Sequence, residues 1–290
     1  MHAIRPLSVM DDEKEKRNSA FQSVRGSVSW LGQHLNDNAQ RVRGVRSNNW
    51  LLVLYAVLLV GTQVGLVLVP ALGLSLNVFT LFVLTGGALL RDQVRKVSIS
   101  LAIIPIAQMT SSTIITHNAF LAAAVLYSLL LVLTLVYRYM FTLDEPTEAT
   151  RLRLKGHAFG LPLMLVLGES LGGLGYAFLR HHYQYTHISL PLVAAACIVF
   201  AFAEEMLLRG LVQQQASRIA HPVVAVVLTS VLYTTLAFNH TTFLTLGPAV
   251  AMGTALALVY HYKRNLLLSV TINAAAKLTY VGLVATFILR

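Results

Sequence analysis

The amino-acid sequence predicts an all-α fold, a polytopic bundle of about eight to nine membrane-crossing helices behind a basic cytoplasmic N-terminal arm. Three observations predict it. Of the 290 residues 56% are hydrophobic and only 12% charged, whereas soluble domains carry about a quarter charged residues. From Trp50 onward, apolar runs succeed one another with short polar hinges between them. At about 1.5 Å per helical residue, most of these runs can cross about 30 Å of hydrocarbon. Finally, the basic residues collect in alternate hinges, the distribution that orients a chain in a membrane.

The elements follow in order. Residues 1–48 are polar, without an apolar core near the start, so no cleavable leader is expected. This arm carries Arg5, Lys14, Lys16, Arg17, Arg25, Arg41, Arg43 and Arg46. It reads either as an amphipathic helix around Phe21–Leu35 resting on anionic lipid, or as a solvated tail. Spans are expected near 50–70, 75–90, 97–115, 119–141, 158–179, 189–212, 222–240, 243–261 and 265–289, the second of them short. Residues 49–188 thus form the N-terminal transmembrane helices and 189–290 a four-helix core. Gly86-Gly87 and Gly172-Gly173 lie inside spans, where small residues let helices approach closely.

Arg91, Arg95 and Lys96 follow the second span, and Arg151, Arg153 and Lys155 the fourth. Arg218 follows the sixth, and Lys263 with Arg264 the eighth; the intervening hinges contain only Arg180. Together with the arm this places the N-terminus in the cytoplasm of an integral membrane protein, in the plasma membrane if the source is bacterial. The net charge of +10 is therefore topology and lipid contact, and a nucleic-acid partner is excluded. One cysteine, Cys197, leaves no internal disulfide framework.

Within the sixth span, "VFAFAEEMLLRGLV" (Val199 to Val212) sets Glu204, Glu205 and Arg209 in an apolar run. Glu204 lies about ten residues, or about 15 Å of helix, from Gln213-Gln214-Gln215, taken as the cytoplasmic end. Ionisable groups at such depth face a polar cavity and mark function. Glu205 and Arg209 are spaced i,i+4 with the acid first, the favourable order for an ion pair on one face. Glu204 is about 100° round the helix and has no base within a turn. A desolvated carboxylate without a cation suits the abstraction of a proton from water. The plainer alternative is a structural ion pair beside a glutamate that hydrogen-bonds a neighbouring helix.

E-E-x-x-x-R inside a membrane helix resembles the first motif of the CPBP family, the CAAX proteases and bacteriocin-processing enzymes. These are glutamic-type intramembrane endopeptidases, and the resemblance covers about 189–280. It implies that Glu204 activates water, that Glu205 and Arg209 support it, and that a histidine of the next helix assists. That helix, "LTSVLYTTLAFNH", is compared with the family pattern F-x-x-x-H. His240 as the histidine puts Leu236 at the aromatic position, whereas Tyr233 as the aromatic puts Ala237 at the histidine. The resemblance then implies an H-x-x-x-N pair in the last helix, where "KRNLLLSVTINAAAK" stands. In one register Asn273 replaces the histidine and Lys277 the asparagine; in the other the pair is Ser269 and Asn273. Asn273 becomes the candidate for stabilising an oxyanion.

The candidate catalytic set is thus Glu204, Glu205, Arg209, His240 and Asn273, with no metal and no cofactor. Glu169, midway along its span, is a candidate to pair with Lys277, Arg209 or a neighbouring helix. His181 and His182 read as loop residues. Neither H-E-x-x-H nor G-x-S-x-G occurs. The expected partner is a membrane-embedded or lipid-anchored protein or peptide substrate, with anionic lipid at the arm. A non-catalytic scaffold of the same fold is the alternative function, and a transporter, which lacks support from matching halves, the third.

Overall fold

The computed structural model describes residues 48–114, 119–141, 160–179, 190–237 and 246–287. The arm before Asn48, His181, His182 and His240 lie outside the described residues. The described residues form nine helices and no strand. These are α1 (Asn48–Leu68), α2 (Pro70–Leu90), α3 (Asp92–Ile114), α4 (Ala119–Phe141) and α5 (Gly160–Leu179). Then come α6 (Leu190–Ile219), α7 (Pro222–Ala237), α8 (Leu246–Lys263) and α9 (Leu266–Phe287). Five helices are long and apolar enough to cross a membrane: Asn48–Leu68, Pro70–Leu90, Ala123–Phe141, Leu190–Ile219 and Leu266–Thr286.

The breaks have local causes. Val69 is extended and Pro70 opens α2, where a missing N–H costs nothing. Arg91 is again extended, and Asp92 places a negative charge on the first turn of α3. Between α8 and α9, Arg264 turns the chain with φ of 48°, and the Asn265 carboxamide oxygen accepts the Leu267 N–H at 2.9 Å. That bond satisfies one of the free donors at the start of α9.

Three spans differ from expectation. The third begins at Asp92 rather than near residue 97 and so takes in Arg95 and Lys96. The second begins at Pro70 rather than near residue 75, because Gly73 and Ser75 continue the helix instead of breaking it. Gly73 lies against Gly65 and Leu66 of α1, an approach that a side chain would block. The sixth runs on to Ile219, so Gln213, Gln214 and Gln215 are buried inside the bundle and do not mark its edge. Gln213 donates to the Ala257 carbonyl at 2.9 Å, and that bond is what lets an amide sit there.

Helix α6 is the centre of the bundle, in contact with α3, α4, α7, α8 and α9. Helices α5 and α9 run parallel, since Gly168 faces Ile272 and Gly172 faces Ala276. A Cβ at Gly168 would stand 2.6 Å from the Ile272 carbonyl oxygen, so glycine is what permits this contact. Of the glycine pairs singled out in the sequence, Gly172 and Gly87 make close approaches, whereas Gly173 and Gly86 face open space. At one end of the bundle the Asn48 amide donates to the Ile219 carbonyl at 3.1 Å and to Gln93 at 3.4 Å. Arg91 in its hinge, Arg95 in the first turn of α3 and Arg218 in the last turn of α6 therefore share that end. Outward faces are apolar, as at Phe82, Leu89 and Leu163, while Asn77, Thr80 and Thr134 are buried. Apolar outside and polar within is the arrangement lipid demands.

Candidate active site

The site is assembled on α6 and α9, which run antiparallel. Three residues after Glu205, Leu208–Gln213 form a π-helical stretch. Such widened turns alter the angular course of the side chains and recur at functional sites. Here Arg209 and Gln213 both reach α8: an Arg209 Nη2–H donates to the Gly253 carbonyl at 2.9 Å, one turn from the Gln213 bond to Ala257. Gly253 makes room for this, because a Cβ there would lie 2.8 Å from the Ser230 carbonyl of α7.

Arg209 Nε stands 3.4 Å from Glu205 Oε2, and both side chains are fully buried. The i,i+4 pair read from the sequence therefore forms. The guanidinium also lies over the Tyr233 ring, 5.2 Å from its centroid, a favourable cation–π placement.

Glu204 is not without a cation, contrary to the reading along its own helix. The Lys277 ammonium donates to Glu204 Oε1 at 3.0 Å, from a residue 73 positions away. Asn273, one turn before Lys277, uses its amide nitrogen twice, donating to Glu204 Oε2 at 2.8 Å and to Glu205 Oε1 at 3.0 Å. Its carbonyl oxygen accepts the Tyr233 hydroxyl at 3.2 Å. Lys277 sits 5.7 Å over the ring of Tyr127 from α4. The result is a buried cluster with two carboxylates and two cations, formally neutral, bridged by one carboxamide. Glu204 is 1% exposed while Lys277 is 24% exposed, so the ammonium lies at the cluster's open edge.

The other candidates lie apart. Ser269 is buried one turn before Asn273 with its hydroxyl unpartnered and does not reach the carboxylates by a hydrogen bond. Glu169 is exposed on the outer face of α5. Lys277 and Arg209, its proposed partners, are engaged by Glu204 and Glu205 instead. Among the described residues no three His, Cys, Asp or Glu side chains converge as metal ligands would. Sequence reasoning left Lys277 and Tyr233 out of the site. The signal for both was present: Asn273 and Lys277 share a face at i,i+4, and a lysine inside an apolar run requires an acid.

These features define a polytopic helical membrane protein with an ion-paired acidic centre between its later helices. Residues 186–279 match the family described as type II CAAX prenyl endopeptidase Rce1-like. That region takes in Glu204, Glu205, Arg209, Tyr233, Asn273 and Lys277, and it bears out the resemblance to CAAX proteases seen in the E-E-x-x-x-R segment. The family is one of membrane peptidases, and the chain is an integral membrane protein. Neither the curated proteins nor the solved structures yield a match.

Proposed function

We propose that the protein is an intramembrane endopeptidase of glutamic type, in which Glu204 activates the water that cleaves a membrane-embedded or lipid-anchored protein or peptide. The observation that carries this is the Glu204–Lys277 pair, a buried carboxylate whose cation stands at the open edge of the cluster. Glu204 Oε2 accepts from Asn273 and Oε1 from Lys277, and the Tyr127 hydroxyl faces the same carboxylate, which still leaves a lone pair with which to hold a water molecule. The carboxylate then takes the water proton as general base. Both amide hydrogens of Asn273 already point at carboxylates. The oxyanion role therefore passes to Lys277, whose charge faces the approach of a scissile carbonyl. Asn273 holds the two glutamates in register, Glu205 and Arg209 fix the helix, and His240 is the second proton carrier. Water enters from the end bearing Arg91 and Arg218, which the charge distribution makes cytoplasmic.

The test is cleavage of a prenylated peptide by the purified full chain in lipid nanodiscs. Glu204→Gln should abolish turnover while the protein remains folded. Full activity in that variant would sink the mechanism.

A second reading is favoured by the pairing itself. Two acids matched one to one by two bases also make a structural clamp, the centre of a non-catalytic scaffold. That reading requires the wild-type chain to leave the peptide intact, and the double variant Glu204→Gln/Lys277→Met to keep its fold and its partner.

A further inference from the structure

We propose that the outward face of α5 around Glu169 is a docking surface for a transmembrane helix of another membrane protein, one that carries a lysine or arginine near mid-span. The inference is independent of the proteolytic reading. It starts from depth. Glu169 is the tenth residue of a twenty-residue helix. Its neighbours Gly168 and Gly172 pack on Ile272 and Ala276 of α9, so Glu169 lies level with Asn273 and hence with the Glu204 cluster. Yet it points away from that cluster and is exposed. Among the described residues it has neither an ion pair nor a hydrogen bond.

An ionised carboxyl facing hydrocarbon at that depth is unfavourable, and intramembrane acids face a partner or a cavity. The surroundings admit a helix. Gly173, one turn on, has open space where a Cβ would stand. Ala177, a further turn on, is exposed, as is Ser170 beside it. Small residues in line with a polar one are what membrane helix interfaces use: the backbones approach and the polar group bonds across. Charge complementarity chooses the occupant. Among the described residues a second copy of this chain has no free cation to offer at this level, because Arg209 and Lys277 serve Glu205 and Glu204. A twofold contact along α5 would also set Glu169 against its own copy.

The test uses the full chain in lipid vesicles with a fluorescent single-span probe. The probe is a helix of about twenty leucines, made with and without one central lysine. Energy transfer to labelled protein should show the lysine probe associating, with affinity about tenfold lower for Glu169→Leu. Gly173→Leu, which fills the gap without touching the charge, should weaken it too. Equal association of the two probes with the wild type, or no loss in Glu169→Leu, would overturn the proposal. Self-association of the wild type that vanishes in Glu169→Leu without any probe would replace the foreign helix by a second copy. Thermal unfolding in detergent should leave Glu169→Leu at least as stable as the wild type. A clear loss there would mean that Glu169 serves the fold itself, and would likewise overturn the proposal.

Discussion

Replacing Lys277 by methionine removes the ammonium 3.0 Å from Glu204 while keeping most of the side-chain volume. At an effective dielectric of about 20, unit charges at that separation attract by about 5–6 kcal/mol. Much of that is offset in the wild type by the desolvation of both groups, so the pair adds little net stability. Removing one partner is different, because the other is left buried and uncompensated, at about 3–5 kcal/mol. The partial exposure of Lys277 sets the expectation at the low end, about 3 kcal/mol. Chemical unfolding in mixed detergent micelles measures it. Glu204→Gln removes the acid, and the double variant removes both charges. The double variant should lie within about 1 kcal/mol of the wild type, giving a coupling of about 2 kcal/mol or more. Lys277→Met within about 0.5 kcal/mol of the wild type, or additive single effects, would refute the cluster as described.

Three further outcomes are expected. Asn273→Ala leaves Glu204 and Glu205 side by side without their shared donor; unfolding should show a loss of about 2–3 kcal/mol. Gly253→Ala pushes a methyl group toward the Ser230 carbonyl of α7 and separates Gly253 from Arg209. About 1–3 kcal/mol of overpacking is expected in thermal unfolding, and the same loss in an Arg209→Met background would show that the Arg209 contact plays no part. Gly172→Val forces α5 off the Ala276 turn of α9. A disulfide engineered between those two helices should form more slowly in that variant, with a stability loss of about 1–3 kcal/mol.

Much of this architecture was legible in the chain. Long apolar runs with alternating basic hinges place nine helices close to where they occur, because hydrocarbon leaves the backbone no hydrogen-bond partner except itself. The same rule explains the clearest boundary error. The expected span starts near residue 75 and leaves Gly73 in the hinge, but α2 starts at Pro70. The Ser75 hydroxyl donates to the Ala71 carbonyl and the Asn77 amide to that of Gly73. The Gln213–Gln215 error has the converse cause: polarity reads as a membrane edge until a carbonyl such as that of Ala257 is found to accept the amide.

Within one helix, spacing determines which side chains share a face, so the Glu205–Arg209 pair and the Asn273–Lys277 stripe follow from the sequence alone. The meeting of the two stripes does not. Glu204 and Lys277 are 73 positions apart, and their contact depends on the antiparallel register of α6 on α9. In that register Gly210 of α6 meets Leu266 at the start of α9. The sequence therefore determined that buried charges exist and in what order they come along each helix. Only the tertiary structure decided which acid takes which base. A desolvated charge binds the counter-charge that packing brings within reach, and that neighbour belongs to the bundle rather than to the helix.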